Sequence, residues 1–88
     1  MKRISIADIE LAVAEQGRGI PLLLVHGFHL DHSMWSGQIE GLSDSCRVIA
    51  PDLRGFGESD VTEGTVTMAQ MADDLAALLD GLEIDVPV

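Results

Sequence analysis

The chain has 88 residues, 47% apolar and 23% charged, with 15 acidic side chains against 5 basic ones and a formal net charge of −10. It is long enough for one small domain and too apolar for disorder, and its charge repels phosphate backbones and anionic lipid, so neither nucleic acid nor a membrane is an expected partner. A single cysteine, Cys46, excludes an internal disulfide and a cysteine-built zinc site, and the opening "MKRISIADIE" lacks an apolar signal core, so a reducing cytoplasmic setting is expected.

The first stretch, "ISIADIELAVAEQGRG", nearly alternates apolar and polar residues. Ile4, Ile6, Ile9, Leu11 and Val13 are predicted to line one or two short strands, with Ala7 and Asp8 as a hairpin turn and the two glycines of "QGRG" as a break. "IPLLLVHG" differs. The run from Leu22 to Val25 is continuously apolar, which suits a strand covered on both faces, as in a parallel sheet. Next, Trp35, Ile39 and Leu42 fall on one helical face, and Ser36 is placed to cap a short helix over residues 37–42. "RVIAPD" is a second buried-type strand, expected to end near Ala50 because Pro51 has no N–H for a ladder.

The clearest helix is "TMAQMADDLAALLDGL". Thr67 and Gln70 have capping-box spacing. Met68, Met71, Ala72, Leu75, Leu79 and Leu82 form an apolar stripe, read as core packing, with Asp73, Asp74 and Asp80 turned away from it. The helix is predicted to stop near Gly81, and "IDVPV" begins another strand. The order is β-β-β-α-β-α with the start of a further strand. Strand, helix, strand with parallel strands makes a crossover unit, so the fold class is α/β in a single domain over residues 1–88.

Two loops carry the candidate chemistry. In "HGFHLDH", His26 closes a strand and Gly27 allows a ligand to approach the backbone and permits unusual dihedrals. The amide of Phe28 is then expected to point into the crevice beyond the strand's carboxyl end, where ligands of open α/β sheets bind and where a free N–H stabilises a developing oxyanion. "DLRGFGESD" follows the next strand at the same edge. It has neither dinucleotide glycine spacing nor Gly-Lys-Ser/Thr, and it carries Asp52, Glu58 and Asp60, so a tight loop held by Arg54 and its acidic neighbours is favoured over a phosphate cradle. His26, His29 and His32 with Asp31 do not have helical ligand spacing, and no metal is assigned. None of Ser33, Ser36, Ser43, Ser45 and Ser59 sits in G-x-S-x-G, so they read as caps and turn residues. Cys46 reads as a small residue at a strand entrance.

Taken together, "PLLLVHGFHLDHSMWSGQIEGLSDSCRVIAPDLRGFGESD" and "TMAQMADDLAALLDGLEID" resemble the α/β-hydrolase family, in the style of small esterases, enol-lactone hydrolases and cofactor-free haloperoxidase-like members. The resemblance covers nearly the whole chain and implies the N-terminal half of that sheet. It implies that His26, Gly27 and Phe28 form the oxyanion loop, with the Phe28 amide as one donor. Trp35 and Gln38 correspond to packing residues opening the first helix. Asp52, Arg54, Gly55, Gly57 and Ser59 correspond to a loop that shapes the site, with His29, Asp52 and Arg54 as candidate binding residues. No cofactor is implied.

The chain departs from the family pattern twice. His29 stands where many relatives carry Pro, and the sequence ends where a fifth strand begins. In the family that strand leads to the nucleophilic Ser, with the acid and the catalytic His later still, so no catalytic residue is assigned. Without a fifth strand the apolar edge from Leu22 to Val25 is expected to pair with a second copy, giving a homodimer or higher homo-oligomer. Three readings stay open: an N-terminal hydrolase part inactive unless complemented, a hydrolase whose site assembles between subunits, and a non-enzymatic oligomerisation or binding module.

Overall fold

The computed structural model describes residues 1–6, 9–27, 30–62 and 66–84. Four strands, β1 (Lys2–Ile6), β2 (Ile9–Gln16), β3 (Ile20–Leu23) and β4 (Cys46–Pro51), form one sheet in the order β1-β2-β4-β3. Two α-helices, α1 (Ser36–Leu42) and α2 (Met68–Gly81), complete the fold. β1 and β2 pair antiparallel from Lys2↔Val13 to Ile6↔Ile9. β2 then pairs antiparallel with β4, and β4 pairs parallel with β3 from Ile20↔Cys46 to Leu23↔Ile49. The predicted α/β order is present. The Ala7–Asp8 turn and the further strand expected in residues 85–88 lie outside the described residues.

Alternation determines which side chains share a face. Ile6, Ile9, Leu11 and Val13 project to the same side and pack with Ile49 and with Leu78 of α2, with Ile4 against the edge of this cluster. Val48, Ile49 and Ala50 are all fully buried, as a continuous apolar run in a central strand requires. β3 is the outer strand. Leu22 and Leu23 are only half-buried, Ile20 is 72% exposed and Val25, just beyond the strand, is 41% exposed.

Four local expectations change. β4 includes Pro51, in register with Val13. The next donor toward β2 is the Asp52 N–H, bonded to the Ala12 carbonyl at 2.8 Å, so the missing proline N–H interrupts nothing on that side. The cap before the first helix is Asp31 rather than Ser36. Its carboxylate accepts from the Ser33 amide and starts a 3₁₀ turn, His32–Trp35, that runs into α1, while Ser36 lies inside the helix and donates to the Ser33 carbonyl. Gln38 is exposed, whereas Trp35 is half-buried. In α2 the buried line is Met71, Asp74 and Leu78, while Met68 is 65% exposed. The stripe is thus rotated from the predicted one and includes an acid.

The ends of α2 follow local chemistry. The Thr67 hydroxyl accepts from the Gln70 amide at 3.1 Å, which is half of the expected capping box; the Gln70 side chain turns instead to Asp74. After Gly81, the Ile84 amide bonds the Leu79 carbonyl and the Glu83 amide bonds that of Asp80, with Glu83 at φ 59°. This is a Schellman ending with glutamate in the left-handed place that glycine usually takes. Gly17, at φ 91°, lies where a Cβ would overlap the carbonyls of Ser43 and Cys46, which explains the break after β2. Among the described residues no helix is long and apolar enough to cross a membrane.

Candidate functional site

The carboxyl ends of β3 and β4 lie side by side, because the two strands are parallel neighbours. The turn after β3 and the loop after β4 therefore meet at one edge, and the first turns of α2 close its flank. This is the crevice in which an open α/β sheet holds its ligands.

His26 is 4% exposed and is fixed on both ring nitrogens. The Leu53 amide donates to Nε2 at 2.9 Å, so the ring proton is on Nδ1, which donates to the Gly27 carbonyl at 2.8 Å. The ring also meets Phe56 edge-on, with centroids 5.4 Å apart. His26 thus ties the turn after β3 to the first residues after β4. Gly27 is exposed and does not have a positive φ, contrary to the expectation of unusual dihedrals, and a Cβ there would meet only the Leu30 side chain at 3.7 Å. What glycine contributes is bare backbone at the rim. Phe28 and His29 lie outside the described residues.

Asp52 is completely buried. Its Oδ1 accepts from the His32 amide at 2.7 Å and from His32 Nδ1 at 2.8 Å, and its Oδ2 accepts from the Glu58 amide at 2.9 Å. Its carbonyl accepts from the Ser59 hydroxyl, which in turn accepts from the Ala12 amide at 2.8 Å. Gly57, at φ 53°, leaves the room this carboxylate occupies, since a Cβ there would overlap it. Both oxygens of this predicted binding residue are thus engaged in joining three segments of backbone.

Arg54, also a predicted binding residue, is 8% exposed. Its Nε and Nη2 donate to the two oxygens of Asp74 at 2.9 Å, and Gln70 adds a third bond to that carboxylate at 3.0 Å. The fork anchors α2 against the loop. Among the described residues, the acid that holds Arg54 is on the helix. Asp60 instead receives Arg3 and the Glu10 amide.

Between the Val25–Gly27 turn, Leu53 and the Met68, Met71 and Leu75 side chains is an apolar groove of about 310 Å³. His26 forms its floor and Gly27 its rim. At its side, Asp31, His32 and Asp52 each bring one potential ligand atom within 4.8 Å of the others. That set differs from the histidine trio considered from sequence. His32 and Asp52 already bond each other, and Asp31 is engaged by Ser33. The Ser33 hydroxyl and amide hold the Asp31 carboxyl below the usual carboxylate range. Ser33, Ser36, Ser43 and Ser59 all serve turns, caps or loop closure, and among the described residues no serine hydroxyl bonds a histidine ring.

Sequence reasoning missed Asp74 and the role of Ser59. Asp74 had a visible signal: it lies three residues after Met71 and four before Leu78, on the buried line of the helix. An acid there needs a buried cation, and Arg54 was already in view.

Residues 20–87 match the family model described as alpha/beta hydrolase fold. Among curated proteins the chain is 41% identical over 85 residues to epoxide hydrolase 2 of Siraitia grosvenorii, covering 93% of this chain and 27% of that protein. Among solved structures it matches a thermophilic esterase from Thermogutta terrifontis at 54% identity and a TM-score of 0.87, covering 94% of this chain and 32% of that one. The enol-lactonase from Burkholderia xenovorans LB400 matches at 30% identity and a TM-score of 0.89, over 94% and 34% of the respective chains. The chain spans about a quarter to a third of the length of these relatives.

Proposed function

Because the chain belongs to the α/β-hydrolase fold family, we propose that it builds the oxyanion side of a hydrolase site acting on esters or related acyl and C–X bonds. The proposed donor is the amide of Phe28, the residue that follows Gly27 in the sequence; His26 is fixed just before it at the carboxyl edge of β3. The nucleophile, acid and histidine of the reaction come from outside these 88 residues, so the chain alone does not turn over ester. The observation that carries this reading is the double fixation of His26, on the Leu53 amide and on the Gly27 carbonyl, where it lines an apolar groove. Preorganised N–H donors beside an apolar wall are what acyl transfer requires, since negative charge develops on the carbonyl oxygen in the transition state.

A chimera tests it. These residues replace their counterpart in the Thermogutta terrifontis esterase, and hydrolysis of p-nitrophenyl acetate is followed. Phe28→Pro removes the amide donor. Phe28→Ala removes the same side chain and keeps the amide. The proline variant is expected to fall about 100-fold or more below the alanine variant in kcat. Equal rates for the two overturn the oxyanion assignment. Saturable turnover by the unfused chain, lost on His26→Ala, would instead support a site assembled between subunits.

The edge of β3 supports a second element of the proposal. Its outer side has no strand partner among the described residues, and Ile20 on it and Val25 just beyond it are exposed. An apolar edge of this kind pairs with another strand. The chain by itself is proposed to form a homodimer through this edge. Light scattering across a concentration series that finds only folded monomer overturns it.

A further inference from the structure

The buried line of α2 is Met71, Asp74 and Leu78. Helical spacing puts Met68, Ala72, Leu75 and Leu79 on a second line beside it. This line is apolar throughout but open: Met68 is 65% exposed, Ala72 is exposed, and Leu75 and Leu79 are half-buried. Its first three residues wall the apolar groove on the side facing Val25, Gly27 and Leu53. Further round the helix Asp73 and Asp80 stand about two turns apart on one exposed edge. No Lys, Arg or His follows Arg54 in the sequence, and Arg54 is buried on Asp74. An apolar face of α2 is thus bordered by acids and by no base among the described residues.

We propose that this face is a docking surface for a basic amphipathic helix of another polypeptide. The apolar side of that helix lies along Met68, Ala72, Leu75 and Leu79 and closes the groove, and its Lys or Arg side chains meet Asp73 and Asp80. The inference is independent of the oxyanion reading. Charge selects the occupant. An apolar face alone accepts any apolar surface, whereas one with an acidic border favours a cationic rim. A second copy brings the same acidic helix and sets like charges against each other. The remainder of this sequence is too short. Ile84, whose amide bonds the Leu79 carbonyl, lies about 17 Å along the helix from Met68. The four residues after it span at most about 14 Å when fully extended, so they cannot cover the groove from end to end. Met68 and Met71 suit a helical partner, since their unbranched, polarisable side chains adapt to varied shapes.

The probe is a labelled synthetic helix of about five turns, built from Leu, Ala and Lys with leucines on one face and lysines on its flanks. Fluorescence anisotropy is expected to show the 88-residue chain binding it saturably and one to one. The same residues in scrambled order, which form no apolar face, are expected to bind about 10-fold or more weaker. Met68→Gln with Ala72→Gln is expected to weaken binding about 10-fold. Both positions are exposed, so the core is left alone, and unchanged amide exchange in the β2–β4 ladder checks this. Asp73→Asn with Asp80→Asn is expected to weaken binding about threefold, a difference that high salt erases.

No saturable binding overturns the proposal. So does equal binding of the scrambled peptide, or binding indifferent to Met68→Gln with Ala72→Gln, since either leaves only attraction between opposite charges. A peptide with Glu in place of Lys that binds equally well overturns the choice of a basic partner. If light scattering shows self-association that Met68→Gln with Ala72→Gln abolishes, the occupant is a second copy and the proposal fails.

Discussion

Two regions of this small domain are held together by different physics. Around β1, β2 and the C-terminal half of α2, the contacts are aliphatic: Ile6, Ile9, Leu11, Val13 and Ile49 against Leu78. Such contacts have no preferred direction, and the cost of losing one scales with the volume removed. At the carboxyl edge of β3 and β4 the buried groups are His26, Asp52, Arg54, Ser59 and Asp74. Here each group is retained only because a particular partner is present, and removing one side strands the other. The apolar region explains why the chain folds. The polar region explains why one turn stands in one place, which is what a site requires and a core does not.

The largest effect should come from the polar region. Asp74→Leu leaves the Arg54 guanidinium buried without this carboxylate and should cost about 3–5 kcal/mol in urea unfolding. Combining it with Arg54→Met should recover part of that loss, because the buried guanidinium that lost this carboxylate is gone. Leu78→Ala, in the apolar region, should cost about 3 kcal/mol and gain nothing from a second substitution of that kind. A double variant no better than Asp74→Leu alone would erase the contrast.

A smaller effect separates the regions by pH. Glu15, on β2, forms ion pairs with both Lys2 and Arg47. Burial pushes its carboxyl up, but the bonds from Lys2 and Arg47 outweigh burial and hold it below the usual range. A carboxyl lowered in the folded state contributes stability that is present above its unfolded value and is lost as pH falls through its folded one. Acid should therefore remove this contribution below the ordinary carboxylate range, and Glu15→Gln should flatten that limb of the stability curve. An unchanged acid limb in Glu15→Gln would overturn this assignment.

The smallest effect concerns only backbone. Glu83→Gly relieves a left-handed residue at the end of α2 and should raise stability by about 0.5–1 kcal/mol. Thermal unfolding is sufficient to detect it. A loss would mean that the glutamate side chain contributes more than its backbone costs.

Much of the fold was legible before any coordinates. The alternation of Ile4, Ile6, Ile9, Leu11 and Val13 predicted one or two short strands, and β1 and β2 carry these residues. The unbroken run Val48, Ile49 and Ala50 indicated a strand covered on both sides, and all three are inaccessible. Thr67 and Gly81 marked the ends of α2 within a residue. These features are local: periodicity, caps and breakers act within a few residues of themselves, so a one-dimensional reading recovers them. The family resemblance rested on the same kind of information, two short motifs each following a strand, and the family match over residues 20–87 agrees with it.

The site was legible only as a neighbourhood. His26, Gly27, Asp52 and Arg54 were all picked out, but their partners were not. Arg54 reaches Asp74 twenty residues on, and His32 reaches Asp52 across the same distance. Ser59 bonds the Ala12 amide forty-seven residues away. Hydrogen bonds between groups so far apart in the chain depend on β4 lying between β2 and β3, a fact no local pattern contains. The sequence alone therefore determined which segments form strands and helices, which side chains are apolar enough to be buried, and which two loops follow the parallel strands. Only the tertiary structure decided that Asp52 and Arg54 face into the protein, because burying a charge is tolerable only where packing has already delivered its partner.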